Sequence, residues 1–283
     1  MQRTRLPLAF AQAPDFLSAV AKTDYVELPD RTRIPILYEN RAVLALDKPP
    51  GWVLGPDDEE RLRHNLHLAL LDGIERGAFW ARSRNLRFLR FVHRLDGPTS
   101  GVLLFAKSQG GIRPYSELFA DRAVEKAYLA VTEGVPKEIT WTCRLGLGPD
   151  PAAFGRHRVD AAAGKPAETA FRILATNGTR ALIEAHPHTG RTHQIRLHLL
   201  AAGCPVVGDE LYGRFDRLGL GLRSVLLAFR DPFSGKPIGI RAPSQAWCER
   251  FGFLKLETGV ERREEAQKLE RSRRAESRSL SSQ

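Results

Sequence analysis

Six short apolar runs, each ended by turn residues, constrain this chain more than any other feature. Residues 41–46 (RAVLAL), 88–92 (FLRFV), 102–106 (VLLFA), 124–134 (VEKAYLAVTEG), 169–176 (TAFRILAT) and 181–187 (ALIEAHP) have the length and composition of strands. Pro49, Pro50 and Gly51 force the first run to leave its sheet, because proline donates no ladder hydrogen bond. Asn177 and Gly178 mark a turn between the last two. Helical spacing is confined to a few stretches. Leu62, Leu66 and Leu70 recur every four residues within 61–73, and a short helix is read over 114–119. In 192–202, Thr192 reads as an N-cap, Ile195, Leu199 and Ala202 form an apolar stripe, and Gly203 and Pro205 end the helix. Neighbouring strands with few interspersed helices predict an α+β fold rather than a doubly wound βαβ series.

The ends of the chain read differently from its middle. Residues 1–36, with Pro7, Pro14, Pro29 and Pro35, are expected to form an extended arm, and residues 37–256 a single folded domain. Residues 257–283 are charged and almost free of large apolar side chains, so a disordered or frayed helical tail is expected there. The chain carries 43 Lys and Arg against 33 Asp and Glu, a net charge of +10. Because the tail's charges nearly cancel, the excess belongs to the folded body. That suits a polyphosphate partner, although charge alone leaves nucleic acid open. No window is apolar enough to span a membrane, and the apolar stretch at the N-terminus is too short for a signal peptide, so a cytoplasmic location is expected. Cys143, Cys204 and Cys248 stand far apart without a CxxC or CxxH partner, which excludes a disulfide framework and a thiolate zinc site.

Two segments could carry chemistry. In HRLDGPTSG (93–101), His93, Arg94 and Asp96 sit on a connector between two apolar runs. A carboxylate on a rigid loop beside an arginine is what a positioned nucleophile or base requires; an Asp before Gly-Pro can equally be a plain turn residue. In HTGRTHQIRLHLLAAGCPVVGDELYG (188–213), Arg191, His193 and Arg196 gather around a helix start. Such a group can seat a phosphate or a carboxylate from elsewhere in the chain, or it can be a solvated basic helix end. His186, His188, His193 and His198 do not share one helical face, no HExxH is present, and no metal site is expected. Phosphate-loop and nucleophile-elbow motifs are missing as well.

Taken together and in order, DKPPG, HRLDGPTSGVLLFAK, VEKAYLAVTEG and TGRTHQIRLHLLAAGCPVVGDELYG closely resemble the RluA-like family of RNA pseudouridine synthases, from about Leu37 to Arg241. The resemblance implies a cofactor-free isomerase on a bifurcated, largely antiparallel mixed sheet whose central cleft takes RNA, either rRNA or tRNA. It implies that Asp96 is the catalytic aspartate, that Tyr128 stacks on the base, and that Arg196 pairs with the aspartate. Arg94 would fill the gap left by a flipped nucleotide, and His93, Arg191 and His193 would contact RNA. Without the resemblance, a core strand aromatic is the favoured reading of Tyr128. A monomer is expected. The 36 residues before Leu37 are too few for the small RNA-binding module that many relatives carry, and Gly97-Pro98 stands where relatives usually have polar residues. A catalytically silent RNA-binding factor and a base-flipping hydrolase are the competing readings.

Overall fold

The computed structural model describes residues 22–55 and 64–254. In chain order the elements are β1 (Tyr25–Glu27), β2 (Arg33–Glu39), β3 (Val43–Lys48), α1 (Leu66–Glu75), α2 (Phe79–Arg82), β4 (Arg90–Phe91), β5 (Ser100–Ala106), α3 (Gln109–Ala120), β6 (Glu125–Glu133), β7 (Thr140–Cys143), β8 (Leu147–Pro149), β9 (His157–Val159), β10 (Thr169–Asn177), β11 (Arg180–Pro187), α4 (Gln194–Ala201), β12 (Leu222–Arg230), β13 (Pro237–Arg241) and α5 (Gln245–Arg250). The fold is α+β. Among the described residues no helix is long and apolar enough to cross a membrane.

One 11-stranded sheet runs β1-β2-β3-β5-β12-β6-β11-β10-β7, with β4 added to β5 and β13 added to β12. All its named pairs are antiparallel except β5 with β12. That parallel pair is short: Ser100 faces Arg223 and Gly101 faces Ser224, after which the two strands part. Beyond the split, β4 takes the free edge of β5 and β13 takes that of β12. The sheet therefore forks, and a core of Val102, Leu104, Tyr115, Leu227, Phe229 and Ile240 fills the fork.

The junction is held from both faces. Arg223 donates to Asp47 at 2.7 Å and to Ser100 at 3.3 Å, tying β12 to β3 and β5. On the other face a single register row crosses five strands: Lys48, Gly101, Ser224, Tyr128 and Ala185. The row needs small residues at its centre. A Cβ on Gly101 would stand 2.0 Å from the Ser224 carbonyl oxygen, and its φ of +110° is one that L-residues rarely adopt.

Burial on both faces explains why β5 and β6 read as continuous apolar runs. Leu103 and Phe105 of β5 point into the core under α1 and α2, whereas Val102 and Leu104 point into the fork. On β6, Leu129 and Val131 pack against Phe251 and Phe253 at the end of α5, and Ala130 packs against Ile195 and Leu199 of α4.

Several expectations need adjustment. Residues 1–21 of the expected arm lie outside the described residues, but from Tyr25 on the chain is sheet, and β2 crosses the boundary drawn at residue 37. Val26, Leu28 and Ile34 are buried in the main core, which outweighs the prolines. Pro35 is tolerated because β2 meets β3 only from Ile36 onward. The helix read over 61–73 runs from Leu66 to Glu75, and Leu62 lies outside the described residues. The helix read over 114–119 is longer, and Pro114 sits inside it. The expected tail at 257–283 also lies outside the described residues.

Candidate active site

Asp96 stands on the loop between β4 and β5, four residues before the sheet junction. The loop is stiffened by its own backbone: the Thr99 N–H donates to the Asp96 carbonyl at 3.0 Å, and the Gly51 N–H donates to the Gly97 carbonyl at 2.9 Å. Beneath it lies the fully buried Lys48, the last residue of β3. Its Nζ donates to the carbonyls of Gly97 and Thr99, both at 2.8 Å, and of Pro49 at 3.1 Å. Burial pulls its pKa down to about 7, with the nearby charge of Asp96 acting in the opposite direction. One ammonium thus pins the Asp96 turn through two of the three residues that follow the aspartate.

Arg196 approaches Asp96 from α4. Its Nη1 donates to Asp96 Oδ2 at 3.3 Å, a single long contact to a carboxylate whose side chain is 27% exposed. Its main partner is Asp209, which receives Nε and Nη2 at 2.7 Å each in a fork. Arg196 is 2% exposed and the Asp209 side chain is fully buried. Burial opposes the charge on Arg196, but the Asp209 hydrogen bonds and charge outweigh it and hold the guanidinium above its ordinary pKa. Asp209 also accepts the N–H groups of Leu211 and Tyr212, and the Tyr212 ring lies 5.0 Å from the guanidinium. The helix is therefore not the amphipathic one expected: Gln194 to Leu199 are all buried, Ala202 is exposed, and Arg196 is no solvated helix end.

Nor does Thr192 cap that helix. The N-cap position belongs to His193, in the left-handed region at φ 55°, and no side chain caps it. The preceding loop is held instead by Gln194, whose amide accepts from Thr189 Oγ1 and Arg191 N and donates to Glu168 O and Thr169 Oγ1.

Asp96, Tyr128 and Arg196 line one open cleft together with Arg94, Lys126 and Arg191, and His193 is on its wall. The cleft holds about 520 Å³ of empty space, part of it open to solvent. Tyr128 packs against the cores on both sides of the sheet junction, and burial pushes its phenol up to about 12, so it stays protonated at neutral pH. Lys126 lies two residues before Tyr128 on β6, and the alternation of a strand puts both on one face. Its Nζ donates to Thr189 O at 3.1 Å, and burial, then the charge of Arg122, lowers its pKa to about 8. Arg94 is exposed, and Arg191 is anchored through Nε to Pro166 O at 3.1 Å.

His93 departs from expectation. It is not among the residues lining the cleft; its ring stacks on Phe119 at 4.5 Å and its Nε2 accepts the Leu104 N–H at 3.0 Å. Burial, then the charge of Lys126, lowers its pKa to about 3, so it is a neutral packing residue set back from the cleft. Three of the four histidines have separate partners: His186 meets Glu184, His193 meets Tyr212, and His198 lies between Thr169 and the Leu145 carbonyl. Among the described residues no group of three or more His, Cys, Asp or Glu could hold a metal ion.

Lys48, Lys126, Gln194 and Asp209 went unrecognised as individual residues in the sequence. No local signal points to them: Lys48 follows Asp47 after the apolar run 41–46 and reads as an ordinary polar strand end. Chemically, the cleft offers a carboxylate with an open face, an aromatic ring beside it, and cations at its rim. That combination suits attack on, or proton removal from, a planar anionic substrate.

The sequence profile described as RNA pseudouridylate synthase matches residues 42–201. Ribosomal large subunit pseudouridine synthase C of Escherichia coli (strain K12) is 33% identical over 227 residues, covering 76% of this chain and 68% of the relative. The protein of the same name from Vibrio cholerae serotype O1 is 33% identical over 229 residues, 76% of this chain and 67% of its own. Among solved structures, human RNA pseudouridylate synthase domain containing 1 superposes with a TM-score of 0.59 at 26% identity, over 74% of this chain and 83% of its own. Human RNA pseudouridylate synthase domain containing 4 shares the fold with a TM-score of 0.61 at 21% identity, over 79% and 94%. The forked sheet, the cleft at its junction and these similarities agree: the chain belongs to the RNA pseudouridylate synthase family.

Proposed function

We propose that the protein isomerises uridine to pseudouridine in large-subunit ribosomal RNA, with Asp96 as the reacting carboxylate. The bond between uracil N1 and ribose C1′ breaks, a bond between C5 and C1′ forms, the C5 proton is lost and N1 gains one, so mass is unchanged and no cofactor is consumed. A uridine inside a stack must first be turned out, at a cost of a few kcal/mol. Tyr128 stacks on the extruded base, Arg94 fills the vacated space, and Arg191 and Lys126 meet phosphates at the rim. The observation that carries this reading is the joint placement of Asp96, Tyr128 and Arg196 on one open cleft with a cationic rim. The ribosomal substrate follows from the names of the Escherichia coli and Vibrio relatives. One chain supplies all three side chains, which suits a monomer, and the reading places it with its RNA in the cytoplasm.

Mapping uridine-to-pseudouridine changes across total RNA with and without the gene tests this, paired with purified protein and its Asp96→Asn variant. An isomer of unchanged mass, made by the parent and not by the variant, is expected. Free uracil would indicate a hydrolase, and RNA binding without product a silent binding factor.

A further inference from the structure

Arg196 is a poor sole partner for Asp96. Two of its nitrogens are committed to Asp209 at 2.7 Å, leaving Nη1 as the one nitrogen that reaches Asp96, at 3.3 Å. A second group faces the same oxygen: His193 Nε2 lies 3.9 Å from Asp96 Oδ2. Its placement is built. The backbone of His193 is held at φ 55°, which non-glycine residues adopt only where their surroundings impose it. Its Nδ1 is 2.7 Å from the Tyr212 hydroxyl, and that hydroxyl accepts the His157 backbone N–H at 2.8 Å. The rings of His157 and Tyr212 meet the imidazole edge to face, at 5.8 and 5.5 Å.

These contacts favour one tautomer. The Tyr212 oxygen accepts from His157, and its own proton can point at His193 Nδ1. With Nδ1 accepting, the ring proton sits on Nε2, which faces the Asp96 carboxylate, where an N–H is favoured over a lone pair. Burial keeps the imidazole below its ordinary pKa, the charges of Asp96 and Asp209 opposing and those of Arg196 and His157 assisting, which fits a neutral ring.

We propose that His193 is a positioning residue for the reaction: a neutral N–H donor, locked by Tyr212 and the His157 backbone, onto which the Asp96 carboxylate closes when RNA fills the cleft, so that its orientation toward the ribose is fixed. The proposal rests on Asp96 being the reacting group. Catalytic hydrogen bonds often tighten only when substrate binds, so a 3.9 Å separation is compatible with the contact.

Single-turnover rates and RNA affinity of the full chain, with unmodified large-subunit rRNA, test it through three variants. His193→Phe should slow the step roughly ten- to a hundredfold at unchanged affinity, the penalty for a misplaced reacting group. His193→Gln should recover most of the rate, because its amide N–H reaches where Nε2 stood. Both bear the same left-handed backbone, so the difference between them reports the N–H and not strain. Tyr212→Phe should fall between. A Phe variant as fast as the parent, or a Gln variant as slow as Phe, would overturn the proposal. Nitrogen-15 shifts of His193 provide a readout independent of turnover: the Nε2–H tautomer is expected, and Nδ1–H would overturn the proposal even if the protein forms pseudouridine. A parent that forms none, with the Nε2–H tautomer present, would refute the role of Asp96 instead.

Discussion

Removing the Asp209 carboxylate should unfold this protein far more readily than removing the Asp96 carboxylate, although both touch Arg196. Asp209 is fully buried and takes two guanidinium hydrogen bonds at 2.7 Å, and it also accepts two backbone N–H groups. Asp209→Ala leaves a 2%-exposed arginine with only the single long contact to Asp96 in place of its two-point partner. Breaking a buried pair in this way costs about 3–5 kcal/mol. At roughly 2–4 °C per kcal/mol for a chain of this size, Tm should fall by roughly 6–20 °C. Asp96, with its side chain 27% exposed and one contact at 3.3 Å, resembles a surface pair. Its replacement by alanine should change stability by less than about 1 kcal/mol. Replacing both members of the buried pair by apolar residues, Arg196→Met with Asp209→Leu, should restore much of the lost stability, since a packed apolar pair needs no desolvation. That double variant should remain inactive. Thermal and urea denaturation followed by circular dichroism, alongside the pseudouridine assay, separate the two quantities. If Asp96→Ala proves as destabilising as Asp209→Ala, Arg196 is held by Asp96 in solution and the account of a fork committed to Asp209 is wrong.

Gly101→Ala should be among the most destabilising single-methyl additions, because the new Cβ would lie 2.0 Å from the Ser224 carbonyl at the short parallel junction; a Tm within 2 °C of the parent would show that the junction can open at little cost. Tyr128→Phe should retain base stacking and most of the rate, whereas Tyr128→Leu should lose it, and a fully active Leu variant would remove the stacking role. The phenol pKa lies above its usual value, at about 12, so whatever stability Tyr128 contributes is complete below pH 10 and declines as pH rises through 12; below pH 10 the ratio of parent to Tyr128→Phe rates should be independent of pH. RNA affinity should fall linearly with salt on a log-log plot, with a slope of about −0.7 for each phosphate neutralised on single strands. Lys126→Met should make that slope shallower by about one contact, and an unchanged slope would place Lys126 away from phosphate.

Local sequence carried the identity of most elements here. The apolar runs of β3, β5, β6 and β11 are legible because strands buried on both faces are apolar at nearly every position. The motifs around Asp96, Tyr128 and Arg196 named the family and the cleft residues, since their order and spacing survive without knowledge of the fold. What local pattern cannot express is which partner a side chain finds across the chain. Arg196 reads as the partner of Asp96, but it lies in the buried stretch Gln194 to Leu199 of α4, which sets its guanidinium on Asp209, 13 residues on. His93 reads as an RNA contact because it sits in a catalytic-looking loop; the Leu104 N–H and the Phe119 ring turn it inward. Residues 25–36 read as an arm because prolines dominate local propensity, whereas burial of Val26, Leu28 and Ile34 against the rest of the core decides that they form strands. Lys48 looks like the end of a strand, and only the fold shows its ammonium beneath the Asp96 turn, hydrogen-bonded to Gly97 and Thr99, 49 and 51 positions away in the chain. Strand and helix periodicities are set by neighbours in sequence, so sequence alone determined them. Desolvation, ion pairing and hydrogen-bond satisfaction depend on neighbours in space, so the tertiary structure decided which of the recognised residues face the cleft and which hold it in place.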